Sequence, residues 1–258
     1  AFPQLHLGKV LDLSQDRKIE IEDNIRKAIA KIRDFQLADG GLSYWPDYYS
    51  NYNAWGTNYA GHFMLEAEAE GYTLPVGFKK NWIRFQTSAA NSWSNDRNNY
   101  RYWYSSNQLT QAYRLYTLAL AGSPALGAMN RMKAISNLTT PAKWRLAAAY
   151  HLAGRTNIAK QLIADTRWRA EVYNELGYTY GSSTRDHAMV LETLVLMGDK
   201  LRAKTILDEL VKDMGSYRWY STQTVAYSLL AVAKFKGDSY YEPFSYRYAI
   251  NGEGTKNV

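Results

Sequence analysis

Residues 183–198 read STRDHAMVLETLVLMG. A hydroxyl residue opens the run and can accept hydrogen bonds from the free N–H groups of a first helical turn. A glycine closes it and suits the left-handed cap of a helix end. Between them, apolar residues fall on more than one face, as in helices buried on most sides. The next segment, LRAKTILDELVKDM (201–214), has one apolar face and one charged face, the pattern of a surface helix. The same grammar recurs in TNYAGHFMLEAEAEG (57–71), NQLTQAYRLYTLALAG (107–122), TPAKWRLAAAYHLAG (140–154) and STQTVAYSLLAVAKFKG (221–237). Amphipathic segments at 76–87, 125–138, 156–165 and 199–213 lie between these runs. The terminal glycines, Gly71, Gly122, Gly154, Gly198 and Gly237, are spaced 51, 32, 44 and 39 residues apart. An apolar helix followed by an amphipathic one at such a period predicts an array of helical hairpins.

The stretch IEIEDNIRKAIAKIRDFQLA (19–38) adds an N-terminal amphipathic helix, ended by Asp39-Gly40-Gly41. The array is an open solenoid or a closed α/α toroid, and the connections favour closure. Four long aromatic loops, 40–58, 92–108, 173–184 and 215–223, each lead into an apolar helix. Loops of such length without helices are usually functional or packed on themselves. In a toroid the apolar helices form the inner ring, and all their N-termini point to one end. That end is expected to collect Tyr44, Trp45, Trp55, Trp103, Tyr104, Tyr180, Trp219 and Tyr220. The final stretch FSYRYAINGEG (244–254) alternates and ends in turn residues, so a strand is expected there. The expectation is therefore all-α: an α/α toroid over 1–243, with an inner apolar ring and an outer amphipathic ring. A strand-like tail, 244–258, leads to a following domain.

Composition narrows the chemistry. The 258 residues include no cysteine, which excludes disulfides, zinc–thiolate sites and cysteine nucleophiles within this chain. The net charge is +7, but the basic residues are scattered, so no nucleic-acid partner is expected. No apolar run approaches the roughly 18 residues that span a bilayer, so no direct membrane insertion is expected. The chain starts at Ala1, which suggests a processed or excised piece of something longer. The aromatic share is 14%, with 22 Tyr and 8 Trp, many of which should line a surface or groove.

The four histidines, His6, His62, His151 and His187, form no metal-ligand spacing, and no cofactor motif occurs, so neither metal nor cofactor is expected. His62 and His151 sit among apolar neighbours as core residues. His187, in the first turn of an inner helix, is the best general-base candidate. Ser221-Thr222-Gln223 reads as a helix cap. Asp39, Asp47, Asp96, Glu175 and Asp186 fall at the aromatic end. Two of them facing across a groove, roughly 5–10 Å apart, would suit a carbohydrate-active α/α barrel enzyme. Against that, Asp39 is explained by its turn and Asp186 by the helix dipole. The segment QLADGGLSYW (36–45) resembles repeats of terpenoid cyclases, but their Asp-rich DxDD motif is missing, so the likeness speaks for the toroid.

Three stretches carry a further resemblance: AFPQLHLGKVLDL (1–13), FQLADGGLSYWPDYYSNYNAWGTNYAGHFMLEAEAEGYTLP (35–75) and YRWYSTQTVAYSLLAVAKF (217–235). They are similar to the thioester-type α/α toroid of bacterial alpha-2-macroglobulins, relatives of complement C3, and the helix grammar between them fits the same domain. The resemblance implies a module of a large envelope-associated protease trap rather than a self-contained enzyme. In that family a cut in a bait segment rearranges the molecule around the protease, and a buried Cys–Gln thioester from a C-x-E-Q motif acylates it. The motif belongs immediately before the A-F-P-Q-L stretch and is not in this chain. The implied partners are neighbouring domains of the same polypeptide and target proteases, and the implied location is the cell envelope. C3-type members direct their thioester to hydroxyls with a His ahead of an inner helix. The stretch before 107–121 offers Trp93, Asp96 and Tyr100 but no His, so amines are the expected targets. An aromatic barrel end suits such a domain: it excludes water, and converging helix N-termini favour a thiolate.

Overall fold

Each apolar run lies within a helix that stops at its expected glycine, while the N-terminal caps follow the expectation only in part. The structure, a computed structural model, describes residues 1–46, 51–95, 101–169, 172, 173, 175, 179–237, 247–248 and 256–257, with the backbone alone at 101–107 and at the last two pairs. Helices α1 (Phe2–Leu5) and α2 (Leu7–Val10) open the chain, followed by α3 (Gln15–Ile32). Then come α4 (Ala54–Ala69), α5 (Phe78–Ser92), α6 (Arg101–Leu120), α7 (Leu126–Lys133) and α8 (Thr140–Leu152). The last are α9 (Thr156–Ile163), α10 (Ser183–Leu196), α11 (Lys200–Met214) and α12 (Thr222–Lys236). Side chains of Ser14, Asn53, Ser182 and Ser221 accept from the backbone N–H three residues on and so cap α3, α4, α10 and α12. Gly71, Gly122, Gly154, Gly198 and Gly237 all have positive φ, between 66° and 91°, so each helix stop rests on glycine.

Alternate helices α4, α6, α8, α10 and α12 form the inner ring, and side-chain ties run around it. Asn58 Nδ2 donates to the Thr110 carbonyl (2.8 Å), joining α4 to α6. The Thr139 N–H donates to Gln108 Oε1 (2.9 Å), joining the start of α8 to α6. Arg145 Nη1 donates to Glu192 Oε2 (2.6 Å), joining α8 to α10, and the Ser182 and Thr224 hydroxyls meet at 3.0 Å between α10 and α12. The ring closes through α1: the Phe2 ring lies 5.2 Å from Tyr59 on α4 and 6.4 Å from Tyr227 on α12. The first thirteen residues, which pattern alone left without an element, thus supply the closing stave. The outer helices α3, α5, α7, α9 and α11 each bury one stripe, such as Ile21, Ile25 and Ile29 of α3 or Ala203, Ile206 and Leu210 of α11. The all-α toroid with an apolar inner and an amphipathic outer ring is what the hairpin pattern predicts.

Several boundaries differ from the sequence reading. Helix α4 starts at Ala54, because Asn53 Oδ1 accepts from Gly56 N–H at 2.6 Å and nucleates the turn early. Helix α6 starts at Arg101, so Trp103 and Tyr104 belong to a helix and not to a loop. Helix α3 runs from Gln15 and gives way at Arg33–Phe35 to a 3₁₀ turn. In the tail, β1 (Arg247–Tyr248) pairs antiparallel with β2 (Lys256–Asn257), so the described part of the tail holds two short strands.

Packing between the layers is tight at Gly61. The buried Trp82 of α5 donates its Nε1–H to the Thr57 carbonyl (2.9 Å) and lies flush on α4. A Cβ at Gly61 would sit 2.2 Å from the Trp82 ring. Gly61→Ala is therefore expected to lower stability by about 1–3 kcal/mol through overpacking, despite the better helix propensity of alanine. Urea unfolding measures it; an unchanged or raised midpoint would contradict this packing.

Candidate functional site

The parallel inner helices bring their N-terminal loops to one end of the toroid. The end is only partly the aromatic surface expected. Tyr44, Trp45 and Trp219 are 50%, 64% and 69% exposed, and the Tyr44 and Tyr180 hydroxyls meet at 3.1 Å. Tyr180 has φ 48°, an unusual conformation for tyrosine, and its carbonyl accepts from the Ser221 hydroxyl (3.3 Å). Tyr220 is half-buried, its hydroxyl donating to the Asp213 carbonyl. Tyr173, Ser182, Thr184, Trp219, Tyr220 and Ser221 are among the residues that line a half-open cleft of about 210 Å³. Its hydroxyls are engaged: Ser182 and Ser221 cap helices, Thr184 donates to Asp213, and Tyr173 donates to Asp186 Oδ2 (2.7 Å). What the cleft offers a partner is chiefly aromatic surface.

Trp55 corrects the sequence reading. It is 2% exposed, because the early start of α4 carries it into the first turn and points it into the ring. Its Nε1–H donates to Gln223 Oε1 (2.7 Å), and the Arg185 guanidinium lies 4.7 Å from its ring centroid. It supports the face from beneath and is not part of its surface. The side chains of Trp103 and Tyr104 lie outside the described residues. His187 sits half-buried against Trp168, rings 5.9 Å apart and edge-on, and burial pushes its imidazole pKa down.

The carboxylates expected at this end have structural tasks. Asp39 Oδ1 accepts from Gly41 N–H (2.9 Å) in its turn. Asp186 is held by Arg185 (2.9 Å) and Tyr173. Glu175 is buried, bonded through Oε2 to Thr179 and to Gly181 N–H. Asp47 and Asp96 lie outside the described residues. Among the described acids, no pair faces across an open groove, as a glycosidase needs.

Sequence reasoning missed the densest chemistry, a charge cluster on the ring axis. Lys234 Nζ donates to Glu66 Oε1 (2.5 Å) and Glu192 Oε1 (2.8 Å). Glu192 also accepts from Arg145 Nη1 (2.6 Å) and from the Tyr116 hydroxyl (2.7 Å). His62 Nε2 lies 3.3 Å from Glu66 Oε1 and its Nδ1 3.0 Å from the Tyr113 hydroxyl. His6 approaches Glu66 (3.5 Å) and Glu70 (3.6 Å) from the closing stave. Burial would raise the pKa of both carboxyls, but Lys234 overrides it, with Arg145 at Glu192 and the two histidines at Glu66, and both are held well below the usual range. Burial pushes His62 down, so it stands neutral; its Nε2–H then donates to Glu66 and its Nδ1 accepts from Tyr113. His62, Glu66 and Glu192 could by donor type and spacing hold a cation, but the Lys234 ammonium is bonded to both carboxylates there. The signal was present: each charge interrupts an apolar run, as in HFMLEAEAE, AMVLETLVL and LLAVAKF.

No protein-family model and no curated protein matches the sequence. Solved structures do. Native alpha-2-macroglobulin from Escherichia coli, spanning domain MG7 to the C-terminus, matches all of this chain with 41% of its own length, at 22% identity and TM-score 0.71. Salmonella alpha-2-macroglobulin reacted with methylamine matches all of it with 17% of its length, at 21% identity and TM-score 0.75. The native conformation of the E. coli protein matches likewise with 16% of its length, at 21% identity and TM-score 0.72. The chain therefore spans from about two fifths to one sixth of these neighbours. At such identity the likeness establishes the fold: over its whole length the chain is built like one part of the bacterial alpha-2-macroglobulins.

The charge cluster sets a pH dependence. Carboxyls held below their ordinary range stabilise the fold above that range, and the contribution fades as pH falls through it. A histidine held neutral by burial acts in the same direction. Stability is expected to decline below about pH 6 and steeply below about pH 4.5. Lys234→Met leaves two buried carboxylates short of a counter-charge and should cost about 3–5 kcal/mol at pH 7, less in acid. Urea titrations of both proteins at pH 7 and pH 4 check this, and a pH-independent difference would contradict it.

Proposed function

We propose that this chain is the thioester-type toroid of a bacterial alpha-2-macroglobulin-like protease trap. Residues 1–243 are the domain, and 244–258 lead to the next one. The observation that carries the reading is the full-length structural match to the alpha-2-macroglobulin neighbours, together with the sequence stretches at 1–13, 35–75 and 217–235 that resemble that family. The chain acts as a module and not as an enzyme. Its exposed aromatics, Tyr44, Trp45 and Trp219 with Tyr180 and Tyr220, dock on neighbouring domains and keep water from that end of the ring. The trap works in the cell envelope, on proteases that cut a bait segment elsewhere in the polypeptide. The chain has no cysteine, so any thioester uses a cysteine outside it.

Two measurements test this. The first is the intact mass of the full-length polypeptide before and after methylamine, with a thiol titration. A gain of one methylamine and one thiol is the expected outcome for a covalent trap. No gain and no thiol would remove the thioester and leave a docking module. The second is Trp219→Ala in the isolated chain, expected to change stability by less than about 0.5 kcal/mol, because the side chain packs on little. A larger loss would mean that Trp219 serves the fold and not a partner.

A further inference from the structure

The cleft at the aromatic end has a size and a charge that narrow what can fill it. Its volume, about 210 Å³, exceeds the roughly 150 Å³ of an apolar cavity that takes up benzene, so it has room for one phenyl-sized side chain. Val172, Tyr173, Trp219 and Tyr220 supply the apolar wall. The polar wall has little left to give. The Ser182 and Ser221 hydroxyls each meet that of Thr224 at 3.0 Å, and the Thr184 and Tyr220 hydroxyls are both spent on Asp213. A hydroxyl carried into the cleft would give up water for walls whose own hydroxyls are taken, so the tip of the occupant is apolar. The rim supplies the charge. Among the described residues, Arg218 is the one charged side chain that lines the cleft, and no carboxylate does. Its Nε donates to Ser216 Oγ (3.2 Å) and its Nη2 to Asp213, which leaves Nη1 uncommitted on a side chain that is 63% exposed. Lys212, also exposed, adjoins Asp213, so two cations there share one carboxylate. A partner that covers this rim without an acid would bury positive charge in excess.

We propose that the cleft is the socket for one apolar side chain of phenyl size on a neighbouring domain of the same polypeptide, with an Asp or Glu of that domain paired to Arg218 at the rim. The proposal rests on the reading of this chain as one module of a larger polypeptide and adds the chemistry of the surface that meets it. A folded partner fits better than a lone small molecule, because the cleft runs on into a wider face. Its Ser221 hydroxyl donates to the Tyr180 carbonyl (3.3 Å), and the Tyr180 hydroxyl meets that of Tyr44 (3.1 Å), beside the exposed Trp45. An apolar anchor seated in a pocket, with its charged contact at the edge, is the arrangement in which one side chain dominates an interface. The acid sets the register of the partner, since an uncharged or basic residue at that place leaves Arg218 covered without a new acceptor.

The test is hydrogen exchange at 43–46 and 215–221 in the uncleaved full-length polypeptide, for the native protein, Ser183→Phe, Trp219→Ala, Arg218→Glu and Arg218→Lys. The Ser183 side chain lines the cleft and makes none of the bonds above, so Ser183→Phe fills the socket from its own wall. Trp219→Ala strips the wall without filling it, and Arg218 is exposed enough for both replacements to leave the fold alone. Thermal unfolding of each isolated chain should give the native Tm. In the full-length polypeptide, Ser183→Phe, Trp219→Ala and Arg218→Glu should each speed exchange at 215–221 by roughly tenfold or more, the worth of one hydrogen bond to a charged group or one apolar anchor. Arg218→Lys, which keeps the charge, should retain most of the protection. Protection that survives Ser183→Phe and Trp219→Ala would overturn the socket and leave docking elsewhere on this end intact. Loss with those two but not with Arg218→Glu would overturn the acidic partner. No protection in the native polypeptide would remove the docking reading itself, and the proposal with it.

Discussion

The ring depends on one ammonium group. Lys234, reaching inward from α12, holds Glu66 of α4 and Glu192 of α10 together, and Glu192 in turn holds Arg145 of α8. Four inner helices therefore meet at one set of compensated charges, and His6 adds the closing stave. Such a cluster contributes little net stability, because desolvation offsets attraction. Its value lies in register. An apolar ring of Ala- and Leu-rich helices can slide by a turn at little cost, whereas a charge displaced by a turn is left buried and unpaired. The cluster therefore selects one arrangement among many of similar hydrophobic content.

From that register the aromatic end follows. The inner helices run parallel, so fixing them at the axis also fixes where their first turns lie. The caps Asn53, Ser182 and Ser221 then come to one end, and the loops before them bring Tyr44, Trp45, Tyr180 and Trp219 to the surface there. Trp55 and Arg185 fill the space beneath. The polar side chains around the cleft are tied to one another, which leaves a rigid, largely aromatic face with few free donors. Such a face fits a protein surface better than a sugar or a metabolite, in keeping with a domain that works inside a larger chain.

Much of this was legible in the residues. The five cap-to-glycine runs announced the inner helices, since apolar residues all round a helix demand burial on all sides. The long aromatic loops announced a common end. Three things stayed hidden for physical reasons. Trp55 reads as a loop residue because the Asn53 cap lies upstream of the apolar run that marks the helix. Residues 1–13 show no period, since two four-residue helices are too short to have one. The charge cluster is scattered over Glu66, Arg145, Glu192 and Lys234, and nothing in a linear chain says that these four meet. Their one local mark, a charge inside an apolar run, reads equally well as the edge of a solvated face.

The most direct measurement of the central claim is hydrogen exchange across the aromatic end in the full-length polypeptide, before and after cleavage by a protease, against the isolated chain. The backbone of 43–46 and 215–221 is predicted to be protected in the uncleaved polypeptide, to lose that protection on cleavage, and to exchange quickly in the isolated chain. Equal exchange in all three states would show that nothing docks on this end, and would contradict the reading of the toroid as an interior module of a protease trap.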